Sequence, residues 1–514
     1  MKIKNIALFC LLILISTNSL LGQKTHSDNG DGTFTNPVIA ADFPDLDLVL
    51  VNDTYYMVTT TMFIFPGVTI LKSKDLVNWE YCSNAIPRFD INPCYNLDGC
   101  NRYRHGQWAT SMKYHNGKFY LMFITLDEGG FICTADKAEG PWELKKIPRG
   151  FHDPGLFFDD DGRIYVAYGY GQISITELDK NFTAIGRDSL IFKGDLRPGI
   201  EGSHFYKLNG YYYLYCTYGG ADGLQVALRS KNIYGPYEEK IVLKDNTIKG
   251  VNFGIHQGAL IKTQTGEYWT MLFVDTGSFG RFPSLQPVNW VDNWPIAGIN
   301  GRGVVTYKKP NVGKTYPIKD FPTSDEFDKP FLGMQWGWNH NPDSTKWSLT
   351  ERKGFLRLKT VNVVKNLREA RNTLTQRIFA HYPGSAPSKG ITKMEISKMK
   401  DGDIAGLAVF QDPYAYIAVK KENNKSYIIM VNNGQAIDST LINSSTVYLE
   451  ANPVFGTGKA TFAYSSDNKT FKTLGNELKM KFSLTVFTGN KFCLFNYATK
   501  EQGGYVDFDW FKHQ

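Results

Sequence analysis

A short turn followed by an aromatic-rich strand recurs five times in this chain, and this repeat constrains the fold more than any other feature. The five copies are Asn52-Asp53-Thr54-Tyr55-Tyr56-Met57, Asn116-Gly117-Lys118-Phe119-Tyr120-Leu121, Asp161-Gly162-Arg163-Ile164-Tyr165-Val166, Asn209-Gly210-Tyr211-Tyr212-Tyr213-Leu214 and Thr265-Gly266-Glu267-Tyr268-Trp269-Thr270. Asn-Gly and Asp-Gly between strand-forming residues are strong signals of a β-hairpin. Successive turns are about 45 to 65 residues apart, close to the length of a four-stranded propeller blade.

A second repeat lies between these hairpins and supports the same interpretation. Its copies are Ser73-Lys74-Asp75-Leu76-Val77-Asn78-Trp79, Glu139-Gly140-Pro141-Trp142 and Ser230-Lys231-Asn232-Ile233-Tyr234-Gly235-Pro236-Tyr237. Each is interpreted as the bend before the outer strand of a blade, with its aromatic residue packed inward. The sequence therefore predicts an all-β protein with a five-bladed β-propeller over residues 24–308. A large β-sandwich is the alternative, and the regular spacing favours the propeller.

The texture of the sequence changes after residue 308, which indicates a second domain. Residues 309–323 contain Pro310, Pro317 and Pro322 and are predicted to form a linker. Beyond them the chain has alternating strand patterns separated by turn signals such as Asp401-Gly402, and the blade repeat does not return. Residues 324–514 are predicted to form a β-sandwich, a reasonable size for one domain.

The N-terminus has the pattern of a secretory signal peptide. Lys2 and Lys4 precede an unbroken apolar run from Ile6 to Ile15, and a polar stretch leads to Gly22. The run is about half of the ~20 residues that a membrane-spanning helix needs. We therefore expect residues 1–22 to be a signal peptide and the mature protein to be exported, to the periplasm or outside the cell, without a membrane span.

Composition and missing motifs exclude several classes of function. The net charge of +7 comes from scattered lysines and arginines, without the basic tract typical of nucleic-acid binding. The sequence contains no GxSxG, HExxH or P-loop motif and no CxxC pair. Cys94 and Cys100 flank a short polar loop and could form a disulfide in an exported protein. Carboxylate-based hydrolysis and sugar binding remain as the natural options.

Three acidic residues occupy similar positions in three predicted blades. Asp45, Asp153 and Glu201 each lie just before a blade's hairpin, where the innermost strand begins. The innermost strands surround the central channel of a propeller, so these three carboxyl groups should converge at its mouth. Glycoside hydrolysis needs one ionised carboxylate to activate water and one protonated carboxyl to donate to the leaving oxygen. A third acid can raise the pKa of the proton donor.

Several longer motifs resemble glycoside hydrolase family 43. They are Asn36-Pro37-Val38, Pro44-Asp45, Phe65-Pro66-Gly67, Trp108-Ala109, His152-Asp153-Pro154, Glu201-Gly202-Ser203-His204, Leu285-Gln286-Pro287-Val288 and Asp292-Asn293-Trp294-Pro295. In the second domain, Gln335-Trp336-Gly337-Trp338-Asn339-His340 and Ala370-Arg371-Asn372-Thr373-Leu374-Thr375-Gln376-Arg377 resemble the sandwich of that family's β-xylosidases. The resemblance implies a five-bladed propeller of inverting enzymes joined to a jelly-roll, concanavalin A-like sandwich.

The resemblance also implies roles for individual residues. Asp45 matches the general base, Asp153 the residue that modulates the pKa of the acid, and Glu201 the general acid. Arg281 resembles an arginine that contacts the substrate and the carboxylates. His256 resembles a histidine of the central channel that holds water or a calcium ion, although a hydrogen-bonded core histidine would look the same.

The chain departs from the family pattern at two places near the site. Leu46-Asp47 follows the base where Pro-Ser is common, so a second acid adjoins Asp45 and its role is open. In the loop after the first strands, Met62 and Ile64 stand where many xylosidases carry Phe and Trp, with Phe63 nearby. These residues, together with Trp108, are candidates for the sugar pocket, and Trp108 could instead pack between blades.

The resemblance predicts an exo-acting, inverting glycosidase that releases terminal xylose from β-1,4-xylo-oligosaccharides. An α-L-arabinofuranosidase is the close alternative, and a non-catalytic sugar-binding propeller is the alternative from another class. We expect an oligosaccharide partner and no required cofactor, apart from a possible structural calcium ion. The sandwich could be a structural partner, a sugar-binding module, or the source of a loop that closes the pocket. The sequence leaves the oligomeric state open.

Overall fold

The computed structural model describes residues 23–514, apart from 195, 197, 221 and 245–253. The predicted signal peptide, residues 1–22, lies outside the described residues. Within them the chain is almost entirely β-structure, and the helical segments are the short 3-10 turns Pro93–Asn96, Gly277–Phe279, Ser344–Lys346, Leu367–Glu369 and Phe455–Thr457. None of the described helices has the length and apolar character needed to cross a bilayer.

Five four-stranded antiparallel sheets follow one another along the first part of the chain, and we number them blades 1 to 5. Blade 1 contains Asp47–Val51, Thr54–Thr59, Gly67–Ser73 and Trp79–Ile86; blade 2 contains Ser111–His115, Lys118–Thr125, Gly129–Ala135 and Glu143–Ile147; blade 3 contains Gly155–Phe158, Ile164–Tyr168, Gln172–Leu178 and Ala184–Lys193. Blade 4 contains Ile200–Leu208, Tyr211–Tyr218, Leu224–Ser230 and Glu238–Leu243; blade 5 contains Ile255–Lys262, Tyr268–Asp275, Arg281–Val291 and Trp294–Ala297. The predicted five-bladed propeller is confirmed.

The turn repeat forms the first hairpin of each blade for a local reason. In blade 4, Leu208 pairs with Tyr211 across the two turn residues Asn209 and Gly210, whose φ angles are 52° and 77°. Positive φ at both positions matches the twist of the flanking strands, and Asn and Gly adopt it most readily. Of the aromatic residues that follow, Tyr213 is fully buried and contacts Trp290 of blade 5.

The first strands of adjacent blades contact each other around the axis of the propeller. The beginning of each first strand therefore faces the same end of the central channel. A separate pair of strands, Thr33–Thr35 and Thr306–Lys308, joins the two ends of this part of the chain. This arrangement brings residues just before the first strands of blades 1 and 3, and at the start of the first strand of blade 4, to one mouth.

The second part of the chain is a β-sandwich of two large antiparallel sheets. In sheet order, one sheet contains Gln435–Ile442, Lys425–Asn432, Ala415–Glu422, Asp403–Phe410, Lys491–Ala498, Leu374–Arg377, Trp336–Asn339 and Ile64–Phe65. The other contains Trp347–Ser348, Leu356–Lys359, Tyr505–His513, Gly390–Glu395, Thr446–Val454, Lys459–Ser465 and Lys472–Thr473, with Leu478–Lys479 beside Lys459–Ser465. Apolar residues of both sheets, among them Leu407, Leu449 and Phe508, share one buried core.

One strand of the sandwich sheet comes from the propeller. Ile64 and Phe65 lie between the second and third strands of blade 1, and they pair with Asn339 and Trp338. Nearby, Cys94 and Cys100 form a disulfide, the pairing that the sequence left open. The two parts of the molecule are therefore joined by a continuous sheet as well as by the covalent chain.

Residues 309–323, predicted as a linker, contain no strand and lie against the propeller. Lys309 forms ion pairs with the buried carboxylates of Asp28 and Asp75. Phe321 is buried, and its ring lies 5.8 Å from that of Phe43 and 5.4 Å from that of Phe379. These contacts hold the connecting segment in place between the two parts of the chain.

Candidate active site

Asp45 lies at the mouth of the channel, immediately before the first strand of blade 1. Its backbone is in the left-handed region, with φ 52°, a conformation that is uncommon for residues other than glycine and that clusters at functional sites. Its carboxylate is buried and accepts a hydrogen bond of 2.7 Å from Nη1 of Arg281. Burial raises the pKa of Asp45 above its ordinary value, Arg281 opposes that shift, and Asp153 adds to it.

Asp153 and Glu201 lie beside each other at the same mouth, which brings together the three acids that the sequence singled out. Asp153 shares the left-handed backbone, with φ 44°, and its Oδ2 accepts a hydrogen bond of 3.2 Å from Gln257. Burial, and next the charge of Glu201, raise the pKa of Asp153 to about 6 against the opposing charge of His152. The roles assigned to these acids stay predictions, and their placement is compatible with acid–base chemistry.

His152 is a site residue to which the sequence reasoning gave no role. Its Nε2 lies 3.3 Å from Oε2 of Glu201 and 3.8 Å from Oδ1 of Asp153. The position next to Asp153 in the His-Asp-Pro motif was the signal that could have indicated it. Among the described residues, these three side chains are the one group of histidine, cysteine and acidic residues spaced closely enough for a metal ion. The imidazole and carboxylates already contact each other, and we assign no metal there.

Asp47, the acid whose role the sequence left open, points into the wall of the channel below the mouth. Its carboxylate is fully buried and accepts hydrogen bonds of 2.9 Å from the backbone N–H of Leu48 and 2.7 Å from that of Met112. Nζ of Lys113 lies 3.6 Å away, and Nδ1 of His204 lies 3.1 Å away. Although burial opposes the shift, these partners hold the pKa of Asp47 well below its usual range. Asp47 thus links the first strands of blades 1, 2 and 4.

Asp42, five residues before Asp47, anchors the sandwich to the site. Its buried carboxylate accepts hydrogen bonds of 3.0 Å from the backbone N–H of Arg281 and 2.8 Å from that of Gly489. Nζ of Lys491 lies 3.3 Å from the same carboxylate. Because Gly489 and Lys491 belong to the sandwich, this carboxylate joins that domain directly to the arginine that contacts Asp45.

Aromatic side chains from the sandwich form one wall of the site. The Phe487 ring stacks on that of Trp108 at 4.9 Å and lies 5.2 Å from the Arg281 guanidinium. Phe482 lies 5.7 Å from the same guanidinium. Trp108 is also 6.2 Å from the ring of His152, so it lines the site at the junction of the two domains. No local sequence signal indicated Phe482 or Phe487.

Met62, Phe63 and Ile64, the other candidates for the sugar pocket, are buried at the junction with the sandwich. Phe63 lies 4.7 Å from the ring of Tyr103 and 5.1 Å from that of His340. Ile64 pairs with Asn339 through the shared sheet. Their contacts with the sandwich make them part of the support behind the site, and their contact with a sugar stays a prediction.

His256 lies in the first strand of blade 5 and is buried in the channel. Its Nδ1 is 3.0 Å from the hydroxyl of Thr217, and its ring lies 4.6 Å from that of Phe273. A side chain at position 223 would overlap the imidazole, so Gly223 allows the close approach of the neighbouring loop. These contacts describe a packed histidine, and the calcium site stays a prediction.

Comparison with known families matches both parts of the chain. Residues 34–295 match the model for glycosyl hydrolases family 43, and residues 324–514 match the model for the β-xylosidase C-terminal concanavalin A-like domain. The chain belongs to glycoside hydrolase family 43. It is a glycosidase, which confirms the prediction of an enzyme over that of a non-catalytic propeller. Enzymes of this family are typically independent of cofactors.

The similarity to individual relatives covers most of this family 43 chain. It is 34% identical to a protein of Formosa agariphila named β-xylosidase, with 95% of this chain and 91% of that one covered. It is 31% identical to a non-reducing end α-L-arabinofuranosidase of Bacteroides ovatus, over 83% of this chain and 80% of that one. Among solved structures, a bifunctional GH43-CE protein of Bacteroides eggerthii has a TM-score of 0.86 and 38% identity, with 96% of this chain and 64% of that one covered.

Proposed function

We propose that this family 43 glycosidase is an exo-acting, inverting β-xylosidase that releases terminal xylose from β-1,4-xylo-oligosaccharides. The observation that carries the choice of sugar is the similarity, along nearly the whole of both chains, to the Formosa agariphila protein named β-xylosidase. The geometry at the mouth of the channel supports the chemistry, because three carboxyl groups in different electrostatic environments lie there together with one arginine.

Asp45 acts as the general base. Its ionised carboxylate takes a proton from a water molecule, which attacks the anomeric carbon on the face opposite the leaving group. Burial makes this carboxylate more basic than an exposed aspartate, and the hydrogen bond from Arg281 fixes its orientation. The left-handed backbone at Asp45 directs the carboxylate toward the mouth, in contrast to Asp47 two residues later.

Glu201 acts as the general acid. It donates its proton to the glycosidic oxygen while the bond from that oxygen to the anomeric carbon breaks, and the departing sugar leaves as an alcohol. The charge of Asp153 raises the pKa of both His152 and Asp45, and the charge of Glu201 raises the pKa of Asp153. Asp153 therefore modulates the proton affinity of the groups around it.

The wall formed by Phe482, Phe487 and Trp108 supports exo action. These rings lie against Arg281 and His152, so the sandwich encloses one side of the mouth. A pocket closed on one side admits the end of a chain more readily than its middle. We therefore assign the sandwich a structural role in shaping the pocket and no separate sugar-binding role.

An α-L-arabinofuranosidase is the second candidate, favoured by the similarity to the Bacteroides ovatus enzyme. Values of kcat/KM for nitrophenyl β-D-xylopyranoside and nitrophenyl α-L-arabinofuranoside separate the two. We expect the xyloside to be preferred, and a clear preference for the arabinofuranoside would overturn the assignment. The NMR spectrum of the first-formed product from xylobiose should show the α-anomer of xylose, as inversion requires.

Export is part of this proposal. The N-terminal pattern of residues 1–22 motivates it, and the Cys94–Cys100 disulfide supports it because such bonds persist in oxidising compartments. Fractionation of cells that express the full chain, followed by N-terminal sequencing, tests it. A cytosolic protein that begins at Met1 would contradict it.

A further inference from the structure

We propose that His152 is a positioning residue that determines which oxygen of Glu201 carries the transferable proton. The proposal rests on the role of Glu201 as general acid. His152 Nε2 lies 3.3 Å from Oε2 of Glu201, within hydrogen-bonding distance of that oxygen. A carboxylic acid that accepts a hydrogen bond at one oxygen keeps its proton on the other.

The backbone of His152 is anchored, and its imidazole lies between two aromatic rings. The carbonyl of His152 accepts a hydrogen bond of 3.1 Å from the backbone N–H of Gly169. The ring of Trp108 lies 6.2 Å away on one side, and the ring of Tyr170 lies 6.1 Å away and nearly perpendicular to the imidazole. With its ring placed in this way, His152 contacts Glu201 through Nε2.

Three acids face His152 and determine its charge. Burial lowers the pKa of His152, but Asp153, Glu201 and Asp45 outweigh burial and raise it to about 9. The raised pKa favours the protonated ring, in which Nε2 donates a hydrogen bond to Oε2 of Glu201. While Glu201 carries its own proton, the charges of Asp153 and Asp45 favour this form. A donor at this position also stabilises the negative charge that develops on Glu201 as its proton leaves.

The second oxygen of Glu201 faces a different environment. Oε1 lies against Gly219, where a Cβ atom would come within 2.6 Å of it. With Oε2 occupied by His152, the proton is on Oε1 and passes from there to the glycosidic oxygen as the bond to the anomeric carbon breaks. Glu201 ends the step as a carboxylate, and Asp45 holds the proton taken from water. The two protonation states are restored by exchange with solvent.

The experiment compares His152→Phe with the native enzyme on two β-xylosides that differ in leaving group. Xylobiose has a poor leaving group and needs the general acid, whereas dinitrophenolate leaves from the dinitrophenyl xyloside without needing a proton. We expect kcat on xylobiose to fall about 100-fold, the lower end of general acid catalysis, and kcat on the dinitrophenyl xyloside to fall less than about fivefold. The basic limb of the kcat/KM profile should move to higher pH, because a positive charge beside the acid is removed.

His152→Gln separates the donor from the charge, because an amide keeps an N–H group and has no charge. We expect it to recover part of the activity on xylobiose. His115→Phe is the matched control, since His115 stacks on Phe158 at 4.3 Å, away from the three acids. This substitution should change kcat on neither xylobiose nor the dinitrophenyl xyloside. If His152→Phe does not fold, the glutamine variant carries the same comparison of leaving groups.

Two results would overturn the proposal: an equal loss on both substrates, or no change in either the leaving-group dependence or the pH profile. Glu201→Gln tests separately whether Glu201 is the general acid, on which the role of His152 rests. If Glu201→Gln abolishes turnover of xylobiose and the His152 variants behave like the native enzyme, the positioning role alone is wrong. If Glu201→Gln leaves xylobiose turnover intact, Glu201 is not the acid.

Discussion

A carboxylate at the mouth of the channel and a carboxylate in its interior have pKa values that are shifted in opposite directions. Asp45 and Asp47 are two residues apart, and both carboxylates are buried. Asp45, at the mouth, accepts one hydrogen bond from Arg281, and its pKa is raised. Asp47, in the interior, contacts two backbone N–H groups, Lys113 and His204, and its pKa is lowered. The supply of donors and positive charges, more than burial, separates a reactive carboxylate from a structural one.

The largest effect should follow from loss of the carboxylate at the mouth. Asp45→Asn removes the general base, and we expect kcat on xylobiose to fall at least about 10³-fold. Because the pKa of Asp45 is raised on folding, its ionised form opposes folding at neutral pH. The melting temperature should therefore stay the same or rise. Full activity of Asp45→Asn would show that this carboxylate is not the general base.

The second effect should follow from loss of the carboxylate in the interior. Asp47→Asn leaves buried charged partners without their counter-charge, and we expect the free energy of unfolding to fall by about 3–5 kcal/mol. Urea denaturation measures it. Because the pKa of Asp47 is lowered on folding, its stabilising effect is complete above about pH 5 and is lost as the pH falls below about 4. The variant should lose that pH dependence.

Asp53→Asn is the matched control for the interior. Asp53 pairs with Lys74 at 2.6 Å on the surface, where both side chains are about half exposed. Water screens an exposed ion pair of this kind, so it contributes little to the free energy of unfolding. Equal losses for Asp47→Asn and Asp53→Asn would show that the donors around Asp47 have no special effect.

A third prediction concerns Arg281, the cation that donates a hydrogen bond to Asp45. In Arg281→Met the ionised form of Asp45 loses its partner, so its pKa should rise further. We expect the acidic limb of the kcat/KM profile to move to higher pH, because Arg281 lowers the pKa of Asp45 in the native enzyme. Arg149→Met, which removes an exposed arginine paired with Asp188, should leave the limb unchanged. A shift to lower pH would mean that the acidic limb does not report Asp45.

The smallest effect should come from the wall that the sandwich adds to the mouth. Phe487→Ala removes a ring that stacks on Trp108 and lies over Arg281, contacts worth about 0.5–1.5 kcal/mol. We expect KM for xylobiose to rise about two- to tenfold with a smaller change in kcat. Phe331→Ala, an exposed phenylalanine elsewhere in the sandwich, is the control. An unchanged KM would show that this ring of the sandwich does not contribute to substrate binding.

The features that the sequence predicted well are the local ones. The five hairpins follow from turn residues such as Asn209 and Gly210, and the convergence of Asp45, Asp153 and Glu201 at one mouth follows from the blade repeat. Contacts between distant parts of the chain left no such signal. Phe487 reaches Trp108 across almost four hundred residues, and nothing near either residue predicts their contact. Asp47 looked like Asp45 in sequence, because the partners that distinguish it come from blades 2 and 4.

The strand Ile64–Phe65 has a consequence for anyone who builds chimeras from this family. A cut between residues 309 and 323 looks like the natural place to exchange one sandwich for another. The sheet does not end there, because Ile64 and Phe65 complete it from within blade 1. A transplanted sandwich would meet an edge shaped for a different partner. A propeller expressed alone would lose the strand pairing of Ile64 and Phe65 and would expose Ile64, which packs against the sandwich. The transferable module is therefore the sandwich together with residues 62–66 of the propeller.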